Sequence, residues 1–142
     1  MTAPRRMLLN AFHMHCVSHI QQGLWVRDDT RQLEYTQLEP WIALAQILEK
    51  GYFDALFLVD VMGLYDTYRG SAATSIIEAM QVPVNDPALL IPAMASVTEH
   101  LGFAFTSSVL QTHPFTFARQ LSTLDHLTRG RVRSMPDQSQ EV

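Results

Sequence analysis

Short apolar runs alternate along this chain with longer stretches in which apolar residues recur every three or four positions. Met7–Phe12 predicts a first strand. Residues 13–37 are polar and irregular, with Gly23, Asp28 and Asp29 as turn material. Trp41, Leu44, Ala45 and Leu48 then fall at helical spacing, and Gly51 stands where a helix end favours a left-handed residue. Ala55–Val59 is apolar without alternation, which predicts a strand covered on both faces, as in a parallel sheet; Asp60 ends it. Residues 61–86 form a long connection with one short helical turn at Ile76–Met80. Pro83–Pro87 reads as a turn whose Asp86 is placed to cap the next helix. Leu90, Met94, Val97 and Leu101 make a second helical stripe; Pro92 puts the start of the regular helix near itself, and Gly102 marks its end. Phe103–Ser107 predicts a third strand. Pro114 opens a third helix with Phe117, Leu121, Leu124 and Leu127 inward and Gly130 at its close. Arg131 and Val132 look like the entry to a fourth strand, but 133–142 is polar and aperiodic and predicts a disordered tail.

The resulting order, β-α-β-α-β-α-(β), argues for an α/β fold with a parallel sheet and right-handed crossovers. Such sheets close as a doubly wound sheet or as an eight-stranded barrel of typically ~250 residues. At 142 residues neither closure is complete, so the chain reads as the first part of something larger.

Composition narrows the classes. With 47% apolar and 17% charged residues the chain is not intrinsically disordered. Ten basic against fourteen acidic residues, net −4 with no basic block, argues against nucleic acid as a partner. No apolar run approaches the ~20 residues of a bilayer span, and no long apolar stretch follows Arg5 and Arg6, so neither a membrane anchor nor a secretory signal is expected. The single cysteine, Cys16, excludes an internal disulfide and fits a cytoplasmic, reducing setting.

Candidate chemistry gathers at predicted strand ends. Asp60 terminates a covered strand at the end where parallel α/β proteins hold ligands, although a turn-capping role suits the position equally well. Thr106, Ser107 and Ser108 end the third strand with hydroxyls that can face a ligand or satisfy loop backbone. Phe12 would form a further wall of the same mouth. His13, His15 and His19 form H-x-H-x-x-x-H around Cys16. A metal site there is disfavoured, because no carboxylate pair or second cluster stands at ligand spacing, and a buried inert cysteine is commoner than a nucleophile. There is no G-x-G-x-x-G, P-loop or G-x-S-x-G.

Four segments, Gly51–Asp60, Gln81–Pro87, Val97–Phe103 and Leu121–Val132, together resemble the bacterial-luciferase-like flavin monooxygenases. The likeness is to the subgroup containing nitrilotriacetate, EDTA and dibenzothiophene-sulfone monooxygenases, and it runs from about Met7 to Val132, roughly the first third of such an enzyme. It implies an incomplete TIM (β/α)8 barrel, about the first three β/α units, with residues 1–132 as the barrel part and 133–142 as a tail. It implies FMN, bound reduced (FMNH2), with an NAD(P)H:flavin reductase as supplier. Dioxygen reacts with the reduced flavin and a small organic substrate of aminopolycarboxylate or sulfone type is oxygenated. By the same resemblance Asp60 and Thr106 lie on the flavin, and Phe12 and His19 belong to the mouth near flavin and substrate. The connection 61–86 becomes a rim insertion.

The pattern departs after Val132, where the family continues with a strand carrying Trp-Asn-x-Val-Thr-Ser and this chain reads Arg133-Ser-Met-Pro. The expectation is therefore an N-terminal fragment, inactive as an isolated chain; the alternative is a non-catalytic remnant that persists by associating with another chain or a like copy.

Overall fold

A computed structural model describes residues 6–20, 23–108 and 110–137. Strands β1 (Asn10–Met14), β2 (Ala55–Val59), β3 (Gly102–Ser108) and β4 (Val132–Asp137) form one sheet in the order β1-β2-β3-β4, every neighbouring pair parallel. Helix α1 (Glu39–Lys50) joins β1 to β2, α2 (Ala73–Ile77) and α3 (Ile91–Ser96) lie between β2 and β3, and α4 (Pro114–Thr128) precedes β4. Sequential parallel strands joined by helices are the opening wall of a barrel.

The core follows from the two-residue period of the strands. Leu56 and Leu58 of β2 and Phe103 and Phe105 of β3 point to one face and are buried against Trp41, Ala45 and Leu48 of α1, Ile91 and Met94 of α3, and Leu124 of α4. Their neighbours Ala55, Phe57, Val59 and Ala104 point the other way and are only half-buried. The unbroken apolar run of β2 predicts cover on both faces; the described helices cover one.

The N-terminal rim of the sheet is tied by charge. The Glu49 carboxylate accepts the backbone N–H groups of Glu99, His100 and Leu101 at 2.8–3.2 Å. Arg131 donates to the carbonyls of Ala95 (2.8 Å), Leu101 (3.0 Å) and Thr128 (3.0 Å) and to Thr98 Oγ1 (2.9 Å). Asp54 accepts from Leu9 N–H at 2.9 Å and pairs with Arg6.

Two expectations are corrected here. Helix α3 ends at Ser96 rather than at Gly102, and the N–H groups of Glu99, His100 and Leu101 are met by the Glu49 carboxylate rather than by helix carbonyls. Gly102 instead opens β3, where a Cβ would lie 3.1 Å from the Asp54 carbonyl oxygen. The tail predicted from Arg133 is β4 as far as Asp137, paired with β3 through Ser108↔Asp137. Backbone pairing drives it: β4 is the outer strand, where polar residues and a proline such as Pro136 are tolerated. Residues 138–142 lie outside the described residues.

Candidate functional site

The sequence-predicted residues lie towards the C-terminal ends of β1, β2 and β3, as two pairs. The first pair is Asp60 and Thr106. The Asp60 N–H donates to Thr106 Oγ1 at 2.7 Å, and that hydroxyl donates to the Asp60 carbonyl at 3.2 Å. A β-branched residue in β3 thus holds the turn that leaves β2, and the threonine proton is spent on backbone. Both residues line a cleft of about 150 Å3 with Met62, Asn85 and Gln120.

Phe12 and His19 form the second pair, with ring centroids 4.9 Å apart. Phe12 also meets Phe57 of β2 at 5.5 Å, as the register Phe12↔Phe57 requires, yet it stays 47% exposed. These rings and Val17 and Ile20 border a second cleft of about 150 Å3. His19 Nδ1 lies 2.8 Å from Gln81 Nε2, and the Gln81 carbonyl oxygen accepts from the Tyr65 hydroxyl at 3.0 Å. His19 Nε2 is buried and has no hydrogen-bond partner among the described residues. Burial, with His13 nearby, lowers the His19 pKa, so the ring is neutral near pH 7.

Gln81 opens one of the family-like segments, yet neither it nor Tyr65 is marked by the sequence as a site residue. They reach the mouth from the long 61–86 connection, 62 residues from His19 in the case of Gln81, and no local periodicity records such a contact. The connection is anchored by its backbone: Cys16 bridges Val84, Asn85 N–H donates to the His15 carbonyl at 2.9 Å, and Ser18 Oγ donates to the Ala79 carbonyl at 2.5 Å.

The histidine trio does not converge. His13 and His15 share one side, as their spacing requires, but both pack edge-on to Trp41 at 5.0 and 5.1 Å, while His19 turns to Gln81. Among the described residues no three His, Cys, Asp or Glu side chains are grouped as metal ligands. Burial pushes the Cys16 thiol up to about 11, only partly offset by its bond to the Ser18 carbonyl, so it is a thiol rather than a thiolate nucleophile.

Comparison with known proteins matches residues 14–135 to the luciferase-like monooxygenase family model. The long-chain alkane monooxygenase of Geobacillus thermodenitrificans is 56% identical over 128 residues, 90% of this chain and 29% of that protein. The dimethyl-sulfide monooxygenase of Hyphomicrobium sulfonivorans is 52% identical over 128 residues, 90% of this chain and 27% of its own length. Nitrilotriacetate monooxygenase component A of Aminobacter aminovorans is 26% identical over 127 residues, covering 87% and 28%. A crystal structure of long-chain alkane monooxygenase superposes with TM-score 0.91 at 52% identity over 95% of this chain and 31% of that one. Riboflavin lyase, solved with modified FMN and riboflavin, superposes with TM-score 0.84 at 28% identity over 94% and 30%. The chain therefore spans about three-tenths of the length of the curated relatives it matches.

Proposed function

The chain belongs to the luciferase-like monooxygenase family, and on that premise we propose that it forms the flavin-facing first wall of an FMN-dependent monooxygenase barrel. The supporting observation is a shared C-terminal side of the sheet: Asp60 directly follows β2, Thr106 lies two residues before the end of β3 and bonds Asp60, and Phe12, two residues before the end of β1, has the His19 ring tilted against it. The residues fit a flavin. Phe12 and Phe57 offer exposed aromatic surface to a planar ring, Asp60 offers a carboxylate, and the buried, unpartnered His19 Nε2 offers a polar contact. Asp60 and Thr106 would lie beside the flavin, and Phe12 and His19 would stand between flavin and substrate.

Reduced FMN supplies the activation of dioxygen and the delivery of one oxygen atom to the substrate. The chain's own part is to bind, orient and exclude water. Thr106 fixes the turn that carries Asp60, and the aromatic pair walls the mouth with apolar surface. That wall, formed by Phe12, Val17, His19 and Ile20 with His13 and Gln32, suits a small organic substrate with apolar surface, as a sulfone, sulfide or alkane has. A separate flavin reductase would supply FMNH2; the naming of a relative as component A supports a two-component arrangement. The single cysteine, held as a buried thiol, fits a cytoplasmic setting.

Flavin fluorescence titration of the 142-residue chain tests this reading. Binding of FMN is expected, weakened about tenfold or more in Phe12→Ala and Asp60→Ala. An unquenched titration, or variants that bind as the parent does, would overturn it. With a flavin reductase, NADH and dimethyl sulfone, the 142 residues alone are expected to form no oxygenated product, because the four-stranded wall leaves the opposite side of the mouth open.

A further inference from the structure

We propose that Tyr65 and Gln81 are positioning residues that hold His19 as its neutral Nε2–H tautomer, so that the imidazole presents a fixed hydrogen-bond donor at the mouth beside Phe12. This rests on the reading that the mouth holds flavin and substrate, but the tautomer itself is a property of the free chain.

With the Gln81 amide oriented so that its oxygen faces Tyr65 and its nitrogen faces His19, donor and acceptor bookkeeping sets the polarity. A glutamine carbonyl oxygen can only accept, so the contact at 3.0 Å has the Tyr65 hydroxyl donating to Gln81 Oε1. That leaves the Gln81 amide nitrogen facing His19 Nδ1 at 2.8 Å. An amide nitrogen only donates, so Nδ1 is the acceptor and carries no proton. The proton of a neutral ring then lies on Nε2, the atom that is buried without a partner among the described residues. A buried N–H without an acceptor is costly in a resting protein and useful where a ligand brings the acceptor. The ligand atom that meets it is thus a hydrogen-bond acceptor, such as a carbonyl or other oxygen, and not a donor.

Backbone geometry independently marks the contact. Ile20, next to His19, has φ 65°, and Ala79 and Gln81 have φ 50° and 58°. Three non-glycine residues in the left-handed region on the two sides of one hydrogen bond are held by their surroundings, and strain of this kind concentrates where a side chain must be aimed. Tyr65 is secured in turn, since Ser75 Oγ donates to its carbonyl at 2.5 Å.

The test is nitrogen-15 NMR of the His19 ring in the flavin-free chain, assigned by His19→Gln. The parent is expected to show an Nε2–H ring across neutral pH. Gln81→Leu removes the donor to Nδ1 and is expected to give a mixture of the two tautomers; Tyr65→Phe is expected to do the same by freeing the amide to turn over, with the remaining amide spectrum unchanged. An Nδ1–H ring in the parent, or a ring that keeps its tautomer in Gln81→Leu, would overturn the inference. Failure of FMN to bind while the ring is Nε2–H would count against the functional reading alone.

Discussion

Thr106 shows how one side chain can carry a rim. Its hydroxyl takes the Asp60 N–H and gives its proton to the Asp60 carbonyl, so Thr106→Val removes both of these hydrogen bonds. Loss of about 1–3 kcal/mol in urea unfolding is expected, with Thr106→Ser recovering most of it. His15 makes a second prediction. Burial lowers its pKa below 6.5, against opposing contributions from the Asp86 and Tyr35 carbonyls and the Asp86 charge. In the interval between the folded pKa and 6.5 the unfolded chain binds more protons than the folded one, so stability falls as pH drops through that interval. The urea midpoint is expected to decline from about pH 7 to about pH 5, less steeply in His15→Asn. A slope identical in the variant would show that other groups drive it. Sequence could place Asp60, Thr106 and Phe12 towards the C-terminal side of the sheet, since each lies in or just after an apolar run that is visible, although β1 runs on to Met14 and β3 to Ser108. It could not show that the Thr106 proton is already used, because that depends on the register of β3 on β2.

Elements were legible where a period was long and undisturbed, and shifted where a distant side chain intervened. Helix α1 and strand β2 stand where their apolar patterns put them. Yet the left-handed residue that closes α1 is Tyr52 at φ 58°, not Gly51, whose φ is −82°. In α4 the inward positions are Phe117, Leu121, Leu124 and Thr128, at helical steps of four, three and four, so Leu127 turns outward. Helix α3 stops at Ser96, and beyond it Glu49, fifty residues from Glu99, accepts the Glu99 N–H. Burial raises the Glu49 pKa, but the three N–H donors outweigh it and the net shift is downward. Its contribution is therefore present above the ordinary value of 4.5 and lost as pH falls through the folded pKa. Arg131 binds three carbonyls and a hydroxyl in a fork that no monovalent donor reproduces. Arg131→Met is expected to cost about 2–3 kcal/mol, and Arg131→Lys is expected to recover less than half of it. Full recovery by lysine in the same denaturation series would reduce the guanidinium to a point charge.

At the scale of the molecule, one face of the sheet is sealed and the other is not. Leu56, Leu58, Phe103 and Phe105 are buried beneath the helices. Phe12 is 47% exposed, and Phe57, Val59 and Ala104 are half-buried on the opposite face. The outer strands β1 and β4 also end the sheet without a further strand among the described residues. Apolar surface bordered by unpaired strand edges drives association, and each large side chain newly buried contributes about 1.5–3 kcal/mol. A net charge of −4 over 142 residues is too small and dispersed to oppose it. The 142-residue chain is therefore expected to associate with itself in a concentration-dependent way, as read by sedimentation velocity. Phe57→Lys places a charge on the open face without touching the helix-covered core, and is expected to shift the distribution towards monomer with the far-ultraviolet circular dichroism unchanged. A parent that sediments as a monomer at every concentration would overturn the expectation that the open face and strand edges drive association.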